Sequence, residues 1–171
     1  MSTILITGGA GYIGSHVARQ LGERGENIVT LDDLSTGFRS AVLYGDLVVG
    51  DTGDMERVSD LLSRRNVDTV MHFAAHIVVP ESVADPLKYY RNNTANTRSL
   101  LECCVTAGVK HFVFSSTAAV YGIPEGGEAS EDTPTAPINP YGWSKLMSEQ
   151  MLAWYFGAGR SLSALWQGAG K

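Results

Sequence analysis

An apolar run, Ile4-Leu5-Ile6, ends in Thr7-Gly8-Gly9-Ala10-Gly11-Tyr12-Ile13-Gly14 and passes directly into a helical pattern from Tyr12 to Gly25. This junction constrains the fold more than any other stretch of the chain. Gly9, Gly11 and Gly14 satisfy the dinucleotide spacing, and Gly8 extends it to Gly-x-x-Gly-x-x-Gly. Each glycine answers a physical need: a tight turn, approach of backbone to a pyrophosphate, and close packing of helix on strand. The helix start would offer free N–H groups and a partial positive charge to an anion. Gly8, Gly11, Tyr12, Ile13 and Gly14 are therefore candidate cofactor-binding residues.

The rest of the chain repeats the alternation. Strands are expected at 27–31, 46–49, 69–73 and 112–115, and helices at 54–65, 86–107 and 140–156, with a Gly/Pro/Glu/Thr-rich loop at 122–137. Parallel strands need crossover connections, so this order predicts an α/β, three-layer αβα domain with a doubly wound parallel sheet. Length suits one domain, taken as residues 1–156, and there is no internal repeat. A net charge of −5 without a basic surplus excludes a nucleic-acid backbone binder. No apolar run approaches the ~18 residues of a membrane span, and Met1-Ser2-Thr3 leaves no room for a signal peptide ahead of the first strand. Cys103 and Cys104 are adjacent within a helical pattern, which fits packing rather than a bridge or a zinc site and suits a reducing cytoplasm. His16, His72, His76 and His111 lack partners at ligand spacing, so no metal is expected.

Two acidic positions point at a nucleotide. Asp32 ends the second strand 18 positions beyond Gly14, where a carboxylate accepts hydrogen bonds from the adenosine ribose and repels a 2′-phosphate. That favours NAD over NADP. Asp51, after the third strand, is a candidate neighbour of the adenine. Tyr141-Gly-Trp-Ser-Lys145 sets a phenol and an ammonium one helical turn apart. A phenol near pKa 10 is a poor base until a nearby cation favours its phenolate. Hydroxyls in Ser115-Ser116-Thr117 follow the fifth strand, at the carboxyl edge where open α/β sheets bind ligands.

Taken with the glycine loop, Ser/Thr, Tyr and Lys in this order resemble the short-chain dehydrogenase/reductase arrangement. More specifically, seven stretches resemble the UDP-glucose 4-epimerase group of the extended short-chain dehydrogenase/reductase family: 7–16, 31–37, 72–75, 80–83, 89–93, 114–122 and 141–145. The resemblance spans about residues 1–156 and implies a Rossmann-type domain with bound NAD and a UDP-sugar substrate. It implies Tyr141 as base, Lys145 as the cation that tunes it and holds the nicotinamide ribose, and Thr117 as an aid at the sugar oxygen. It extends the cofactor site to Asp33, Ser35, Thr36, Gly37, Thr52, Phe73, Ala74, Ala75, Asn92 and Ser115. It also implies a homodimer through helices near 86–107 and 140–156, whose apolar residues could equally face the sheet. Related 4,6-dehydratases carry Asp-Glu right after the active-site threonine, where this chain has Ala118-Ala119. Epimerisation through a 4-keto sugar, with hydride lent to NAD, is the activity implied. An epimerase of another UDP-sugar and a catalytically silent NAD-binding module are the alternatives.

Two departures stand out. Some family members carry a cofactor-holding lysine at the position of Ile77. Residues 157–171 are Gly/Ala/Ser-rich and do not resemble the family's next strand. From that tail, a sheet lacking its later strands, an exposed sheet edge and an absent substrate-binding domain are expected.

Overall fold

A computed structural model of the protein describes residues 2–157 and 163–167. Its centre is a parallel sheet built from β1 (Thr3–Thr7), β2 (Ile28–Asp32), β3 (Asp46–Val49), β4 (Val67–His72), β5 (His111–Ser115) and β6 (Ser163–Gln167), in the order β3-β2-β1-β4-β5-β6. The strands are joined by helices: α1 (Tyr12–Glu23), α2 (Met55–Arg64), α3 (Val79–Ala84), α4 (Pro86–Tyr89), α5 (Asn96–Ala107) and α6 (Pro140–Gly157). The order reverses at β1 and β4, which opens a crevice beyond their carboxyl ends.

Alternation along the strands explains the three layers, because successive side chains point to opposite faces. Leu5, Val29, Leu31, Val70, Phe112 and Phe114 face the main core with Val58 and Leu62 of α2 and Leu100, Cys103 and Cys104 of α5. Ile6 and Ile28 face the other way, toward Ala18 of α1 with Val17, Leu21 and Met71 beside it. Each fully buried Leu, Ile, Val or Phe among them contributes about 1.5–3 kcal/mol. Caps fix the helix ends: Asp54 accepts the Arg57 N–H at 3.1 Å to start α2, and Gly108 at φ 72° ends α5.

Three features differ from the sequence expectation. The helical stretch from residue 86 is interrupted by a π-helical segment, Tyr90–Ala95, between α4 and α5. The short helix α3 precedes it. The tail, from which no strand was expected, contributes β6, which runs parallel to β5 from His111↔Ser163 to Ser115↔Gln167. The sheet therefore does not end at β5.

Candidate active site

The crevice is a cleft of about 800 Å³ lined by loops from every strand end between β3 and β5 and by α6. The glycine loop forms its floor, with Gly8, Gly11, Tyr12, Ile13 and Gly14 on the surface. Gly8 sits at φ 71°, and a Cβ there would come within 2.6 Å of the Ala74 nitrogen. Only glycine lets the β1 and β4 loops close together in this way. No side chain caps α1 at Gly11 and no acid stands in its first turn. Its first N–H groups are thus free for an anion, so the residues present fit a pyrophosphate.

On the β2 side, Asp32, Asp33, Ser35, Thr36 and Gly37 line the cleft. Asp32 also braces it: Oδ2 accepts the Ala10 N–H and Oδ1 the Leu34 N–H, both at 2.9 Å. Each oxygen keeps a second lone pair for a ribose hydroxyl. The exposed Asp33 accepts the Ser35 N–H at 2.9 Å and its hydroxyl at 2.6 Å. Asp51 and Thr52 line the next wall, with Asp51 accepting from Gly53 N–H and Asn96 Nδ2 at 2.6 and 2.8 Å. Phe73, Ala74 and Ala75 follow β4, and Asn92 projects from the π-helical segment.

The reactive side is α6. Tyr141 and Lys145 line the same cleft, with Ser115 at the end of β5 and Ser116 just after it. Lys145 is 3% exposed, and its Nζ sits 4.3 Å from the centroid of the Phe114 ring. Burial pushes its ammonium down to about 7, with the negative charge of Glu149 pulling the other way. The rings of the buried Tyr89 and of Tyr141 are nearly perpendicular, centroids 6.4 Å apart. The Tyr89 hydroxyl accepts the Val78 N–H at 2.9 Å and lies within donating distance of the Val78 carbonyl and Glu81. Burial and that glutamate push Tyr89 up to about 12, so it stays protonated.

Asn93 joins three walls. Its Oδ1 accepts the His76 N–H at 2.8 Å and Asn92 Nδ2 at 3.0 Å, while its Nδ2 donates to the His76 carbonyl and to Ser144 Oγ. The π-helical widening exposes its carbonyl to the hydroxyls of Thr97 and Ser148 at 2.6 and 2.9 Å. This fixes α6 on both sides of Lys145.

The candidates named from sequence thus gather in one cleft, with one exception. Thr117 is not among the lining residues, and its hydroxyl accepts the Ala119 N–H of its own turn at 3.2 Å. Glu81, Lys88 and His76 also line the cleft, and no local sequence signal marks them as its residues. Ile77 lines the wall at 66% exposure and brings no cation. Among the described residues no group of three or more metal-ligating side chains occurs. No helix among them is long and apolar enough to cross a membrane.

The family model for the NAD dependent epimerase/dehydratase family matches residues 4–166. The chain belongs to this family. It is 59% identical over 150 residues to a UDP-glucose 4-epimerase from Azospirillum brasilense, a match that covers 87% of this chain and 43% of that protein. Among solved structures, the UDP-glucose 4-epimerase from Brucella ovis in complex with NAD superposes with a TM-score of 0.91 at 45% identity, over 97% of this chain and 51% of that one. The UDP-Glc/GlcNAc 4-epimerase from Campylobacter jejuni superposes with a TM-score of 0.93 at 45% identity, over 98% and 53%. The epimerase/dehydratase domain described here therefore spans about half the length of the relatives it matches.

Proposed function

We propose that the chain carries the NAD-binding and proton-transfer half of a UDP-sugar 4-epimerase interconverting UDP-glucose and UDP-galactose. The observation that carries this reading is the delivery of Tyr141 and Lys145 by α6 to the cleft floored by the Gly8–Gly14 loop. NAD would lie with its pyrophosphate at the start of α1, its adenosine ribose on Asp32 and Asp33, its adenine near Asp51 and Thr52, and its nicotinamide by Phe73, Ala74, Asn92 and Ser115. When bound, it supplies a hydride acceptor that also returns the hydride. Tyr141 takes the proton of the sugar 4-hydroxyl as C4 is oxidised and gives it back after the 4-keto sugar has turned over. Lys145 holds the nicotinamide ribose and stabilises the phenolate while it carries its proton. Thr117 assists at the sugar oxygen once its hydroxyl turns from Ala119 to the cleft, and Ser116 already faces that space. Ala118-Ala119, where a dehydratase would place its acid and base, support epimerisation over loss of water.

Two observations favour other outcomes. The name of the Campylobacter jejuni relative includes a GlcNAc substrate, which favours a second UDP-sugar. The Thr117 hydroxyl, held by the Ala119 N–H rather than lining the cleft, favours a module that binds NAD and turns nothing over. Calorimetry with NAD, followed by product analysis on UDP-galactose and UDP-N-acetylglucosamine, separates them. Conversion that Tyr141→Phe abolishes supports the epimerase reading, whereas equal conversion by that variant overturns it. NAD binding without conversion of either sugar supports the silent module.

We also propose a cytoplasmic homodimer. Trp143, Met147 and Trp154 of α6 are exposed on one helical side, and Leu87 and Val105 add apolar surface on α4 and α5. Sedimentation of Trp154→Glu against the unaltered chain tests it: a shift toward monomer is expected, and an unchanged mass overturns it.

A further inference from the structure

Glu149 lies one turn beyond Lys145 on α6 and is 9% exposed. Carboxylates are seldom buried this deeply without a partner of opposite charge. Two relationships bear on its burial. Its Oε1 accepts the hydroxyl of Ser116, from the loop after β5 that also lines the cleft. Its charge acts on Lys145, favouring the ammonium against the cost of burial. Among the described residues, the other ionisable groups near Lys145 include Tyr141 one turn earlier on the same helix and His72 on β4, while β5 presents the Phe114 ring.

We infer that Glu149 is the positioning residue of the reactive pair, serving as the buried counter-charge of Lys145 and as the anchor that holds the Ser116 loop against α6. This deepens the reading of Tyr141 and Lys145 as the proton-transfer pair and rests on it. Without the carboxylate, the face of Phe114 is left to offset the lost hydration of a lysine at this depth. The loop carrying Ser116 and Thr117 would also lose its tie to the helix opposite. His72 is neutral across the range in which Lys145 titrates, because burial holds it down to about 3. A shift in Lys145 on altering Glu149 therefore cannot come from a change in His72 charge.

The test uses the chain itself and needs no turnover, so it stands apart from the fate of the epimerase reading. Carbon-13 at lysine Cε reports the titration of Lys145, assigned with Lys145→Met. Exchange of the Ala119 and Val120 amides, which donate to Thr117, reports loop closure. In Glu149→Gln the amide oxygen still accepts from Ser116, so exchange is expected to stay close to that of the unaltered chain. The Lys145 midpoint is expected to fall by about half a pH unit or more. In Glu149→Ala the midpoint falls and the two amides exchange about tenfold faster. A Lys145 midpoint that does not move in Glu149→Gln overturns the counter-charge, and unchanged amide protection in Glu149→Ala overturns the anchor. Should Glu149→Ala fail to fold, Ser116→Ala tests the anchor by the same amides, with unchanged protection again overturning it.

Discussion

His72 Nε2 lies 2.8 Å from the hydroxyl of Thr97, whose own proton is directed to the Asn93 carbonyl at 2.6 Å. The threonine must then accept, so Nε2 carries the imidazole proton. Nδ1 consequently accepts the Thr7 hydroxyl at 2.6 Å. This neutral ring, 1% exposed, couples the end of β1, just ahead of the glycine loop, to the helix that continues from Asn93.

A pH dependence follows. Burial, with a smaller contribution from the Lys145 charge, pushes His72 down to about 3, against about 6.5 in an unfolded chain. Between those values the unfolded chain binds a proton that the folded one does not. Stability from the neutral ring is therefore fully present above about pH 6.5 and falls as pH drops toward 3, by at most about 1.4 kcal/mol per pH unit. Urea unfolding at pH 7, 6, 5 and 4 should show this slope in the unaltered chain and a shallower one in His72→Gln, which is also less stable at pH 7. Equal slopes would contradict a buried neutral histidine.

The floor of the cleft makes a second, paired prediction. Gly8 and Gly25 share a left-handed backbone, at φ 71° and 82°, yet a Cβ at Gly25 meets nothing within 4 Å. Gly25→Ala should cost only the conformational penalty, about 1–2 kcal/mol. Gly8→Ala adds contacts of 2.6–2.8 Å with the backbone of Phe73 and Ala74. Forcing those strand ends apart should raise the cost by a further ~1–3 kcal/mol. Denaturant midpoints compare the two directly. Similar losses would mean that the β1 and β4 loops are not in tight contact.

Much of this site was readable because its information is local. The glycine loop, Asp32 at the strand end and the one-turn spacing of Tyr141 and Lys145 each declare themselves within a few residues. Glu149 carries the same signal, since it lies four residues beyond Lys145 on the same side of the helix, but a buried carboxylate looks like a solvated one until Ser116 is found opposite it. Asn93 was illegible for a different reason. Its importance comes from a π-helical segment, and no propensity rule marks where a helix widens to free a carbonyl. The Thr117 hydroxyl could be read onto the right loop but not onto its orientation, which depends on a turn closed with Ala119. β6 escaped because its Gly/Ala/Ser-rich flanks hid a short run whose pairing with β5 is a long-range choice.

The two cysteines offer a simple check on the core. Cys104 is fully buried and Cys103 is 2% exposed, with its thiol 3.6 Å from the Met55 carbonyl across the α2–α5 contact. Burial pushes the Cys104 thiol up to about 12, so almost no thiolate exists near neutral pH. Reaction with a chromogenic disulfide reagent should be slow in the native chain and complete in urea. Rapid reaction of either thiol under native conditions would show that the core opens between α2 and α5.

Asp32 supports both the fold and the cofactor reading, and two substitutions separate these roles. Its carboxylate is 7% exposed and receives the Ala10 and Leu34 N–H groups, one on each oxygen. Asp32→Ala leaves both donors without a partner, so a loss of about 2–6 kcal/mol is expected, from about 1–3 per orphaned group. Asp32→Asn keeps one accepting oxygen and turns an amide NH₂ toward the other donor, which should cost less than the alanine but more than nothing. The asparagine also removes the negative charge that would repel a 2′-phosphate, so its NAD-to-NADP preference in calorimetry should narrow by about tenfold. A stable Asp32→Asn with an unchanged preference would detach this carboxylate from nucleotide selection and leave it as a brace for the glycine loop alone.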